Sequence, residues 1–116
     1  MNQITIEELS QMHGKAGLII QGCGGDLNEW VDGINNILTE EGILLKGDRF
    51  RDVSVFENEG VANLLFHMEG VQLDIGKLAM WRLQTHHNFY GTWLSDYLDN
   101  YIGREDSEEM EEEREW

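Results

Sequence analysis

A chain of 116 residues with 23 acidic and 8 basic side chains carries a formal net charge of −15. That length fits one domain with a modest core. The charge argues against nucleic acid and anionic membrane as direct partners and favours a basic protein surface, which a carboxylate field attracts. The lone cysteine, Cys23, excludes an intrachain disulfide and fits a reducing cytosol.

The acidity has two sources. Residues 104–116 hold eight acids and two arginines, a net of −6, and are expected to be a disordered, solvated tail. Residues 1–103 keep fifteen acids and six bases, a net of −9, and are expected to form the single folded domain. The first residues have no basic segment followed by an apolar run, so no signal peptide is expected. No apolar stretch approaches the roughly 20 residues of a membrane span. A cytoplasmic protein is the expectation.

In chain order, residues 5–12 predict a short helix, with Thr5 as N-cap and Glu8 three positions on. Residues 17–21, Gly-Leu-Ile-Ile-Gln, predict a buried strand. A glycine-rich turn, residues 22–25, leads into the clearest helix. Asp26 is its N-cap, and Glu29 is expected to complete a capping box. Leu27, Trp30, Val31, Ile34, Ile37 and Leu38 recur every three or four residues as one apolar stripe, which places Trp30 in the core. Gly42 ends this helix. Residues 43–45 read as a brief extended piece and 46–52 as a polar loop. Residues 53–57 and 61–68 predict a hairpin turning at Asn58-Glu59-Gly60, and residues 71–73 predict a third strand.

Asp74 is expected to cap a helix reaching about Thr85, with Ile75, Leu78, Ala79 and Arg82 on one side and Trp81 flanking. Residues 86–91 read as a connection. Thr92 is expected to cap a last helix ending at Gly103. Its apolar face would be Trp93, Leu94, Tyr97, Leu98, Tyr101 and Ile102, with Ser95, Asp96, Asp99 and Asn100 opposite. The fold class expected is α+β: a small antiparallel sheet packed by two to three helices.

No strong catalytic or metal motif stands out. The turn at residues 22–25 lacks the full dinucleotide or P-loop pattern, and Asp26 and Glu29 place negative charge where a phosphate would sit. Cys23 lies near a helix N-terminus, but its acidic neighbours oppose thiolate formation and no base partner is marked. His13, His67, His86 and His87 match no zinc spacing, and adjacent His86 and His87 point apart on most backbones. His67 reads as a strand surface residue. Carboxylate pairs are too numerous for any to be singled out as acid and base. The aromatics Trp81, Phe89, Tyr90, Trp93, Tyr97 and Tyr101 are interleaved with acids, unlike a base-stacking platform, and default to packing. No cofactor and no metal are expected, and no enzymatic turnover.

The more specific signal is the row Glu29, Asp32, Asn36 and Glu40, opposite the apolar stripe. Neighbours three or four apart on a helix lie roughly 5–6 Å apart, close to the spacing of nucleic-acid phosphates. A rigid carboxylate row of this kind fits a groove built for phosphates. Taken alone, such a row is an ordinary solvated helix face; the global excess of acid gives it weight.

Residues 17–35 (GLIIQGCGGDLNEWVDGIN), 73–86 (LDIGKLAMWRLQTH) and 91–97 (GTWLSDY) resemble a family of small proteins encoded on conjugative plasmids and integrative elements of Firmicutes. The resemblance covers nearly all of the body and none of the tail, and it brings no established activity and no functional residues. Small acidic proteins of such elements include anti-restriction and anti-CRISPR inhibitors, several of which mimic DNA. This chain is similar to them in size and charge only.

The functional expectation is an acidic inhibitor or adaptor of a basic, nucleic-acid-handling protein, such as a CRISPR effector nuclease or a restriction enzyme. Its partner-binding residues would be Glu29, Asp32, Glu40, Glu57, Glu59, Asp96 and Asp99. Two alternatives stand beside it. One is a conjugation-accessory protein whose acidity serves solubility, and the other a small enzyme using Cys23 or the histidines.

Overall fold

The computed structural model describes residues 1–44 and 49–102. Its elements are β1 (Asn2–Gln3), α1 (Ile6–Ser10), β2 (Gly17–Gln21), α2 (Leu27–Glu40), β3 (Val53–Asn58), β4 (Val61–His67), α3 (Leu73–His87), β5 (Tyr90–Trp93) and α4 (Leu94–Tyr97). A π-helical turn over Leu98–Ile102 continues α4. The tail proposed for residues 104–116 lies outside the described residues.

The strands form one sheet in the order β1-β3-β4-β2-β5. β2 pairs antiparallel with both β4 and β5, and β3 antiparallel with β4. β1 runs parallel to β3, so the sheet is mixed and the fold is α+β. Helices cover both faces, which explains why β2 reads as an unbroken apolar run instead of an alternating one. Leu18 and Ile20 join Leu64 and Phe66 beneath α2 and α3. Ile19 and Leu65 face the other way and join Leu9, Leu94, Tyr97 and Leu98 of the opposite helices.

Local signals set several boundaries. Thr5 and Glu8 close a reciprocal capping box on α1. Asp26 Oδ1 accepts from the amides of Asn28 and Glu29, at 3.0 and 3.4 Å. The reciprocal Glu29 bond that would complete a second box is absent among the described residues' hydrogen bonds. α2 ends in a Schellman motif: Gly42 (φ +78°) donates to Thr39 O and Ile43 to Leu38 O. Ile43 and Leu44 are therefore part of a helix stop, not of an extended piece. The β3–β4 turn has Glu59 and Gly60 both at positive φ, the two-residue form that suits strand twist.

Other expectations are corrected. Residues 71–73 form no strand: Leu73 starts α3, Gln72 occupies the N-cap, and Asp74 lies in the first turn. α3 is also turned on its axis. Gly76, Ala79 and Leu83 face the core, leaving Ile75, Leu78 and Trp81 exposed. The reason lies at Gly76, where a Cβ would come within 2.7 Å of Trp93 Cη2. The sheet's largest side chain takes the room, and only the glycine side of the helix can approach it. Residues 90–93 form edge strand β5, so Thr92 lies in the sheet and Trp93 takes the N-cap position of α4. Trp93 is buried under α3, and Tyr101 is exposed.

Candidate functional site

All seven carboxylates expected to bind a partner are exposed. The structure does not bring them onto one patch. Glu29, Asp32 and Glu40 lie on α2, over one face of the sheet. Asp96 and Asp99 lie on α4 and its π-helical extension, over the other. Glu57 is the penultimate residue of β3 and Glu59 sits in the hairpin turn.

One end of the sheet gathers most of them. Gln21 pairs with both Asn63 and Tyr90, and the Cys23 amide donates to Ala62 O at 2.8 Å. The start of α2, the hairpin turn and the start of β5 therefore share this end. Asn58 Nδ2 donates to Tyr97 Oη at 2.8 Å, which brings the end of the last helix there too. Asp26 and Glu29 begin α2 beside this end, Glu57 and Glu59 flank Asn58 in the hairpin, and Asp99 follows in the turn beyond Tyr97. Glu59 lines a small hollow with Tyr97 and Tyr101, and Tyr90 and Tyr101 are exposed. Glu40 is eleven residues beyond Glu29, about 16 Å along the helix axis. Between them the row is interrupted. Arg49 pairs with Asp32 at 3.2 Å and donates to Asn36 Oδ1 at 3.3 Å.

A groove of about 440 Å³ runs along α2 from this end. Asp26 and Glu29 stand at its mouth, Gly33, Ile34 and Ile37 form its length, and Trp30 and Phe89 make an aromatic corner. Trp30 is half-buried at the edge of the core. Its Nε1–H donates to Gly24 O at 2.7 Å, which fixes the indole. Phe89 meets it edge to face, with centroids 5.7 Å apart and planes at 70°. Asn88, in the left-handed conformation (φ +58°), ends α3 and returns the chain so that Phe89 reaches α2.

A second cluster joins the C-terminal ends of α2 and α3. Glu41 Oε2 pairs with Arg82 at 3.0 Å. Its Oε1 meets His86 Nδ1 at 2.9 Å and His87 Nε2 at 3.0 Å. The adjacent histidines thus converge on one oxygen, against the expectation that they diverge. Their hydrogen bonds, His86 foremost, pull the Glu41 carboxyl down to about 2. Arg82 also lies over the Trp81 ring, 5.6 Å from its centre. Among the described residues, no group of three or more His, Cys, Asp or Glu is arranged to hold a metal ion.

Cys23 is buried, and its thiol lies 3.4 Å from Ile20 O. Burial pushes it up to about 11, so it is a protonated thiol at neutral pH. His67 is half-buried in β4 and lies 2.7 Å from Ser54 Oγ across the strand pair. Ser54 is itself only 3% exposed, so this hydroxyl is not presented to a substrate.

The groove and the Glu41 cluster both escaped the sequence reading. Phe89 arrives through the turn after α3, which no local pattern specified, and His86 and His87 are carried by α3 itself, which runs past Thr85 to His87. Gly33, one turn after Trp30 on an otherwise strong helix, was the available signal for the groove. No protein-family model, no curated protein and no solved structure matches the chain.

Proposed function

We propose that this protein is an acidic inhibitor or adaptor that docks on a basic, nucleic-acid-handling protein. In its sharpest form it inhibits a CRISPR effector nuclease or a restriction enzyme by presenting carboxylates to a channel lined for phosphates. The observation that carries this reading is an ordered, exposed acidic surface that its own cations leave uncompensated. Of the seven carboxylates, only Asp32 forms an ion pair among the described residues. Fixed exposed charge of one sign speeds the approach of an oppositely charged partner and repels nucleic acid. The sheet end bearing Glu29, Glu57, Glu59 and Asp99 is the leading docking surface.

The test is inhibition of purified CRISPR nucleases and restriction enzymes across a range of ionic strengths, with DNA as competitor. Inhibition should weaken steeply with salt and be relieved by added DNA. Absence of inhibition throughout, or inhibition indifferent to salt and DNA, would remove phosphate mimicry.

A further inference from the structure

The groove along α2 is chemically two-sided. Its mouth is anionic, at Asp26 and Glu29, and its walls are apolar, at Trp30, Ile34, Ile37 and Phe89. Asp26 Oδ1 is committed to the helix cap. Glu29 forms no ion pair among the described residues. Charge is therefore left at the mouth for a cation from outside. The Trp30 indole lines the groove beside it, and an indole is a ring that guanidinium groups stack on.

A second observation is independent of charge. Gly33 sits in the middle of α2, where glycine weakens a helix. Nothing in the fold requires it: a Cβ there would meet no atom within 4 Å. This contrasts with Gly76, whose Cβ would strike Trp93. The room beside Gly33 is left open to the groove and not to the core.

Resting on the proposed docking to a basic protein, we propose that this groove receives an arginine of that partner together with an adjoining apolar side chain. The guanidinium lies at the mouth, hydrogen-bonded to Glu29 and stacked on Trp30. The apolar neighbour lies over Gly33 against Ile37 and Phe89. A volume of about 440 Å³ suits two or three residues and exceeds what one side chain fills. Charge complementarity selects the partner class: the acidic mouth disfavours an anionic or wholly apolar segment. The groove thus adds short-range selectivity to a long-range field that attracts any basic surface.

The test uses the full chain and the peptide acetyl-Leu-Arg-Leu-amide, followed by two-dimensional NMR. The Trp30 indole N–H and the Gly33 amide should shift saturably. Replacing arginine by citrulline, which is neutral and nearly isosteric, should weaken binding at least tenfold. Gly33→Leu, which fills the groove without touching the core, should do the same, and Gly33→Ala should give a smaller loss in a protein of undiminished stability. Shifts spread evenly over Glu57, Asp96 and Glu40 would mean diffuse charge attraction and overturn the proposal, as would Gly33→Leu binding like the parent. Spermidine displacing the peptide at equal concentration would overturn it in favour of a small-cation site. Inhibition of a nuclease unchanged by Gly33→Leu would remove the groove while leaving the docking reading intact. Peptide binding without inhibition of any nuclease would support the groove and remove the docking reading.

Discussion

Arg82 Nη1 and Glu41 Oε2, 3.0 Å apart, join α3 to the C-cap of α2. They lie 41 residues apart in sequence, and His86 and His87 load the other oxygen of the same carboxylate. α2 and α3 share little else beyond the apolar layer beneath them. The clamp therefore sets how their C-terminal ends sit together.

Stability should depend on Glu41 in a pH window that its own carboxyl defines. Glu41 is held at about 2 in the fold, below its ordinary value of 4.5. A depressed carboxyl stabilises the fold above its ordinary value and loses that contribution as pH falls through the folded one. In thermal unfolding at about pH 5, the parent should exceed Glu41→Gln. The margin should shrink as pH drops toward 2. A margin that persists unchanged to pH 2 would mean that Glu41 acts by shape and not by charge.

Asn35 should be a structural anchor of larger effect. It is buried in α2, accepts from the Phe50 amide at 2.7 Å and donates to Phe50 O at 3.1 Å. This imitates a strand pair and brings the segment before β3 back onto the helix. Asn35→Leu removes both bonds and leaves two backbone groups without partners. The expected loss is roughly 2–6 kcal/mol, at about 1–3 kcal/mol for each of the two buried groups left unsatisfied. Chemical denaturation would measure it, and a loss under about 1 kcal/mol would show that water replaces the amide.

The two helix glycines should respond with opposite signs. Gly33→Ala gains helix propensity in open space and should stabilise by up to about 1 kcal/mol. Gly76→Ala meets Trp93 at 2.7 and 3.0 Å and Met68 Sδ at 3.2 Å. Overpacking of this kind costs about 1–3 kcal/mol. Equal effects in denaturant titrations would remove the distinction between a glycine the fold requires and one it does not.

The sequence was most legible where local chemistry decides structure. The Thr5 box, the Asp26 cap, the Gly42 stop and the Glu59-Gly60 turn are all short-range devices, and each lies where its residues place it. β2 was readable from its unbroken apolar run. β1 was not, because two polar residues form a strand only where the edge of β3 is available. β5 was obscured because Tyr90-Gly-Thr-Trp looks like a turn leading to a helix cap. Its partner, β2, lies about seventy residues upstream. The facing of α3 failed for a packing reason, since the periodicity of Ile75 and Leu78 says nothing about Trp93 needing Gly76 opposite. The exposed carboxylates could be named from sequence, but their division between the two faces of the sheet depended on where β5 turned the chain.

That division makes the docking surface separable from the general charge. Glu29 and Glu57 lie at the hairpin end, and Glu40 lies at the far end of α2. Each is exposed without an ion pair among the described residues, so reversal to lysine should change stability by less than about 1 kcal/mol. Asp32 is the structural control. Its pair with Arg49 is partly solvent-screened, and Asp32→Asn should also cost under about 1 kcal/mol. If the hairpin end meets the partner, the double reversal Glu29→Lys with Glu57→Lys should slow association about tenfold or more at low salt. Glu40→Lys alone should slow it only slightly. The difference should narrow at physiological ionic strength, where screening sets in beyond about 8 Å. Stopped-flow association rates with an inhibited nuclease at two salt concentrations would measure this. Equal slowing by every reversal would assign the attraction to net charge alone, and the hairpin end would have no special part in docking.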